Sequence, residues 1–100
     1  MMYRPVSVNH LTIRVQDLDR TAEFFERVFG WDVDSSLSDR RRVQIGNTRL
    51  VFKEVLPETP KGDRFSEFRV GVDHISLGVE DLDELAPIAD RLRRAGFATS

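Results

Sequence analysis

A segment of twelve residues occurs twice in the chain, and this repeat constrains the fold more than any other feature. Residues 8–19 read VNHLTIRVQDLD and residues 72–83 read VDHISLGVEDLD. His10 and His74 are therefore separated by a fixed offset (74 − 10 = 64). The same offset separates matching valine, aspartate and leucine residues of the two copies. Such self-similarity indicates an internal repeat. Each copy alternates in polarity and then changes to a helical pattern, which predicts a strand, a turn and a helix start.

The residues after the first copy predict a helix and three further strands. The helix runs to about Phe29, with an apolar stripe of Thr21, Phe24, Phe25 and Val28, and Gly30 ends it. The strands are expected over 31–35, 41–45 and 48–55, with a tight turn at 46–47.

The second copy, by contrast, predicts only a strand within 68–79 and a helix over 84–95. We therefore expect an α+β chain. It has a complete βαβββ module over 1–56, a linker over 57–67 rich in turn-forming residues, and an incomplete second module over 68–100.

Composition limits the partners and the chemistry. The chain has 100 residues, 40% apolar and 32% charged, with a net charge of −2. Interspersed charges of both signs argue against nucleic acid as the main partner. No apolar run approaches the ~18 residues of a membrane span. The absence of cysteine excludes disulfides, thiolate metal sites and a cysteine nucleophile, and it fits a reducing cytoplasm.

The period of a strand assigns the residues of the first copy to two faces. Leu11, Ile13 and Val15 should pack on a helix, whereas His10, Thr12 and Arg14 should line an accessible hollow. Arg14 and Arg49 could hold an anionic substrate there, or could simply lie at the rim. The basic run 40–42 has the same two interpretations, a solvated strand edge or an anion site. The acidic residues that precede the helices are expected to be caps: Asp17, Asp19, Asp81 and Asp83.

The chain resembles the vicinal oxygen chelate superfamily, which includes glyoxalases, extradiol dioxygenases and bleomycin-resistance proteins. The likeness is carried by VNHLTIRV at 8–15, by Asp17-Leu18, by the helix residues 23–25 and 28–30, and by VDHISLGV at 72–79 with Asp81-Leu82. The resemblance implies βαβββ modules paired into a cupped sheet around an active site. It also implies metal ligands on the first and last strands of each module.

Two residues match the ligand positions that the resemblance implies. His10 and His74 occupy the first-strand position of their modules, and two imidazoles suit Zn, Fe, Mn, Ni or Co. In many relatives the last strand of the first module offers a glutamate, but Val51 stands at that position here. Glu54 is nearby with the opposite parity, on the face of Leu50 and Phe52, and the matching carboxylate of the second module would fall beyond residue 100.

The resemblance implies a small-molecule substrate or ligand and leaves two activities open, with no catalytic residue identified. One is a metal-dependent lyase, isomerase or dioxygenase; the other is a metal-free binding protein of the bleomycin-resistance type. A third interpretation is that residues 1–100 have no activity and act in assembly. Because half a module leaves an unpaired strand edge, we expect either a longer protein or a homodimer.

Overall fold

The computed structural model describes residues 3–98 and divides into two compact units, the first ending at Val55 and the second beginning at Leu56. The first unit contains β1 (His10–Val15), α1 (Leu18–Phe29), β2 (Arg40–Ile45) and β3 (Thr48–Glu54). The second contains a 3-10 helix (Leu82–Glu84) followed by α2 (Leu85–Arg94). The α+β class predicted from the sequence is confirmed.

Asp17 is the residue that begins α1. Its backbone is extended and its carboxylate accepts a hydrogen bond from the backbone N–H of Arg20 at 3.0 Å, which satisfies one of the free donors of the first turn. Asp81 accepts from the N–H of Asp83 at 2.9 Å in the second copy. Gly30 ends α1 with φ of 67°, a left-handed conformation that favours glycine. The capping role predicted for the repeated aspartates is thus confirmed for both of these positions.

The sheet has the strand order β1-β3-β2, with β1 parallel to β3 and β2 antiparallel to β3. Gly46 occupies the first central position of the two-residue turn between β2 and β3, with φ of 52°, where type II′ hairpins favour glycine. The backbone N–H of Arg49 donates to the carbonyl of Asn9, and that of Val55 to the carbonyl of Val15. These bonds join both ends of β1 to the neighbourhood of β3.

One side of the sheet forms the hydrophobic core with α1. Leu18, Val43, Leu50 and Phe52 are buried together, and six partly buried side chains pack around them: Leu11, Ile13, Val15, Phe25, Trp31 and Ile45. The Phe25 ring stacks on Trp31 at 4.9 Å and on Phe52 at 5.1 Å between centroids. Leu18, Ala22 and Val28 are the buried residues of α1. Thr21, expected in the apolar stripe, instead donates its hydroxyl to the Asp17 carbonyl.

The strand predicted over 31–35 does not form. Only Asp34 pairs with the sheet, through two backbone hydrogen bonds to Arg42 of 2.8 and 3.1 Å. Trp31 uses its side chain against Phe25 and the core instead of extending the ladder. The segment before β2 is therefore held by side-chain packing and one isolated bridge.

The second unit also departs from the prediction. Residues 72–79 are fully described and exposed, but they form no strand. A strand needs a neighbour to satisfy its N–H and C=O groups, and residues 56–98 provide no other strand. Helix α2 forms nearly as predicted, with Ile88, Ala89 and Leu92 only half-buried. Within residues 3–98 no helix is long and apolar enough to cross a membrane.

Candidate functional site

The sheet has a second side that takes no part in the α1 core. Because paired residues of neighbouring strands lie on the same side, the register places three residues of each strand there. We call this surface the open face: it comprises His10, Thr12 and Arg14 of β1, Arg49, Val51 and Lys53 of β3, and Arg40, Arg42 and Gln44 of β2. In β1 the three open-face residues are exposed, and the three residues between them are half-buried. The two faces predicted for the first copy are confirmed.

Val51 and Glu54 lie on opposite sides of β3. Val51 pairs with Thr12 on the open face, whereas Glu54 pairs with Val15, whose side chain packs against the core. No bulge interrupts the register between His10 and Val15. An apolar side chain therefore occupies the open-face position at which the resemblance led us to look for a glutamate ligand.

The two repeated histidines have the same local hydrogen bond. His10 Nδ1 lies 3.0 Å from Asn9 Oδ1, and His74 Nδ1 lies 2.8 Å from Asp73 Oδ1. A carboxylate only accepts, so the bond to Asp73 places the proton of neutral His74 on Nδ1 and leaves Nε2 with a free lone pair. Both imidazoles are exposed, which makes Nε2 accessible to a ligand.

The donor groups of the described structure do not make up a metal site. Within residues 3–98 no group of three or more histidine, aspartate or glutamate side chains lies close enough to hold a metal ion. His10 is directly opposite Arg49 on the sheet, and Thr12 and Arg14 are its next open-face neighbours in β1. A divalent cation bound at His10 would therefore be repelled by adjacent positive charge.

The basic run 40–42 divides between the two faces. Arg41 lies on the helix side and pairs with Asp19 at 2.9 Å. Arg40 on the open face forms two bonds of 3.0 Å to Asp39, and this contact holds the pKa of the Asp39 carboxyl below its usual value.

Arg42 pairs with Asp34 at 2.6 Å. Hydrogen bonds from Ser36, followed by the bond from Arg42, hold the pKa of the Asp34 carboxyl well below its usual value. Both open-face arginines of the run are thus paired with neighbouring carboxylates.

Lys53 is an open-face residue to which the sequence interpretation gave no role. It lies between Arg14 of β1 and Arg40 of β2 in the register. The alternation of β3 was sufficient to place it on the face of Arg49 and Val51. Its position between two other cations depended on which strands pair and in which register, and no local signal reveals that.

A sheet with one open face, together with a strand of alternating polarity, is found in a known protein superfamily. The profile of the Glyoxalase/Bleomycin resistance protein/Dioxygenase superfamily matches residues 7–100. The chain belongs to this superfamily, as the repeated segments predict. Many members of the superfamily use divalent metals and bind small molecules.

Solved structures share this fold. The oxidase ChaP-H2 is 23% identical with a TM-score of 0.66, over 93% of this chain and 65% of that one. A structure described as a possible glyoxalase from Bacillus cereus is 18% identical with a TM-score of 0.71, over 96% and 80%. Lactoylglutathione lyase from Agrobacterium tumefaciens is 17% identical with a TM-score of 0.67, over 97% and 75%. The present chain thus spans about two thirds of the oxidase. No curated protein sequence matches it significantly.

Proposed function

We propose that this protein binds a small organic molecule on the open face of its sheet without a resident metal. The observation that supports this proposal is the pairing of Val51 with Thr12, which puts an apolar side chain at the position where the resemblance implies a carboxylate donor. Val51 itself is buried, at 7% exposed, and lies beneath the exposed polar and cationic side chains of the face, such as Thr12. Pockets for small molecules combine apolar contact area with a few polar groups that orient the ligand.

A binding screen with a blocking variant tests this proposal. Small organic acids, aldehydes and neutral aromatic compounds are titrated into labelled protein, and backbone amide NMR shifts are followed. We expect shifts at His10, Thr12 and Val51, and Thr12→Tyr should abolish them by filling the open face. Glu26→Tyr, on an exposed position of α1, is the matched control and should leave binding unchanged. Binding that survives Thr12→Tyr would contradict the proposal.

The second candidate function is a metal-dependent lyase, isomerase or dioxygenase with His10 and His74 as metal ligands. It is favoured by the equivalent positions of the two histidines in the repeat and by their matching Nδ1 hydrogen bonds. Ligating histidines commonly use the second nitrogen in this way. Zn, Fe, Mn, Ni or Co would supply Lewis-acid polarisation of a substrate oxygen. Metal analysis of purified protein separates the two candidates, since a stoichiometric metal would favour the enzyme.

We further propose that the protein is a homodimer in which residues 72–79 of each copy find a partner strand. This segment is exposed, and no side chain is buried among the described residues 56–98. Its equivalent, β1, is bonded to β3. A specific dimer should bury at least about 1,200 Å². In this arrangement the incomplete module 68–100, joined by the linker 57–67 to the complete module 1–56, would obtain its missing strand partner from the second copy.

Sedimentation at micromolar concentration tests the homodimer with two leucine variants. Leu77→Lys should give a monomer because it charges the pairing segment. Leu56→Lys, which changes an exposed leucine outside the segment, should remain a dimer. A wild-type monomer at these concentrations would contradict the proposal.

A further inference from the structure

The open face carries positive charge in an ordered arrangement. The register aligns Arg14, Lys53 and Arg40 in one row across the three strands. The row at the other end of the face aligns His10, Arg49 and Gln44. Five arginine and lysine side chains therefore project from one side of a three-stranded sheet, in a chain whose net charge is −2. The positive charge is therefore concentrated on the open face, although the chain as a whole is slightly acidic.

Among residues 3–98, three of these five cations have no carboxylate partner. Arg40 and Arg42 are paired with Asp39 and Asp34. Arg14 donates instead to the backbone carbonyl of Glu54 at 2.9 Å, which positions its guanidinium but leaves its charge uncompensated.

Lys53 and Arg49 are the other two cations of this group. Within residues 3–98, neither side chain forms an ion pair. The pKa of the Asp39 carboxyl is lowered first by its hydrogen bonds from Arg40 and to a lesser degree by the charge of Lys53. Both Asp39 oxygens accept from Arg40 and neither bonds to Lys53.

Unpaired like charges at directly opposed sheet positions destabilise the sheet. Arg14 and Lys53 are such a pair, in register on neighbouring strands. The two parallel strands lie roughly 5 Å apart, so the like charges of the two side chains repel. An anion placed between them removes this repulsion and accepts charge-assisted hydrogen bonds from both.

We propose that the ligand of the open face is a small anion, recognised through carboxylate or phosphoryl oxygens by Arg14 and Lys53. This inference rests on the proposed function and adds the chemical class of the ligand. Three strands span only roughly 10 Å across the sheet, which suits a small molecule. A nucleic acid duplex would need a more extended row of phosphate contacts.

Calorimetric titration with matched probes tests the charge of the ligand. Malonate and inorganic phosphate are the two anionic probes, and malonamide is the uncharged analogue of malonate. We expect an anion to bind and malonamide to bind at least about tenfold more weakly, since charge-assisted bonds are lost. Binding should weaken as salt is raised, because exposed charges are screened. If malonate binds more tightly than phosphate, the ligand is recognised through carboxylate oxygens. If phosphate binds more tightly, it is recognised through phosphoryl oxygens.

Charge-removing variants locate the site. Arg14→Gln and Lys53→Gln should each weaken anion binding by about tenfold, whereas Lys53→Arg should retain it. Arg20→Gln is the control, because it removes an exposed cation from α1 and should change nothing. The far-UV circular dichroism of each variant is compared with that of the wild type to confirm that it folds. Lys53→Arg keeps the charge but changes the side chain, so retained binding in this variant shows that the charge is what matters.

Three results would overturn the inference. They are equal binding of malonamide and malonate, equal loss of affinity in the Arg20→Gln control, and displacement of malonate by a short DNA duplex that binds more tightly to the same residues. The first leaves the open face as the binding site of a neutral molecule, so the proposed function survives. If none of the small molecules shifts the amides of the open face, the proposed function fails as well.

Discussion

Phe52 and Lys53 are adjacent in β3 but lie on opposite sides of the sheet, and truncating each gives a sharp test of the register. Phe52 is 3% exposed, clustered with Leu18, Val43 and Leu50, and its ring stacks on Phe25 at 5.1 Å. Replacing a buried phenylalanine by alanine costs about 3–5 kcal/mol through lost apolar contact and the cavity left behind. Small domains are stable by only about 5–15 kcal/mol, so Phe52→Ala should remove a large part of the stability.

Urea unfolding followed by tryptophan fluorescence measures this loss. Trp31 is the single tryptophan of the chain and stacks on Phe25, so its emission reports the same core. With the usual dependence of stability on urea, a loss of about 4 kcal/mol lowers the midpoint by about 2 M. Lys53→Ala should move the midpoint little, because Lys53 is only half-buried and lies outside the core cluster, and substitutions away from the core usually change stability by about 0.5 kcal/mol or less. Both variants are compared at one protein concentration, since association would stabilise the folded state.

The stability losses of Phe52→Ala and Lys53→Ala, compared with each other, test the register of β3. If Phe52→Ala costs less than about 1 kcal/mol, or if Lys53→Ala costs as much as Phe52→Ala, the core does not lie on the predicted side of β3. The open face would then be assigned to the wrong residues.

Three further outcomes are expected. Asp17→Ala should destabilise the chain by about 1 kcal/mol in the same urea assay, because it removes the α1 cap. The Asp34 carboxyl has a lowered pKa in the folded chain, so its contribution to stability is present at neutral pH and is lost as pH falls below its ordinary pKa of 3.8. Asp34→Asn should therefore make stability less dependent on pH in this acid range, as measured by circular dichroism during acid unfolding. If a divalent metal binds, His10→Ala and His74→Ala should each weaken it strongly in a metal titration, while Glu54→Ala does little; a large loss from Glu54→Ala would contradict the register.

The sequence alone was sufficient for the parts of this protein that depend on local patterns. Alternation in β1 assigned His10 and Leu11 to opposite faces, because successive side chains of a strand point in opposite directions. Asp17 and Gly30 marked the ends of α1 through capping chemistry that acts within one turn. The repeated segment indicated the superfamily, and its profile matches residues 7–100.

The tertiary structure decided what depends on which segments meet. Residues 72–79 alternate as β1 does, yet they form no strand, because strand formation requires a neighbour and propensity alone does not supply one. Trp31 was expected in a strand and instead stacks on Phe25. The row of Arg14, Lys53 and Arg40 joins residues from three strands, and their proximity follows from pairing register, a non-local property that no stretch of sequence encodes by itself.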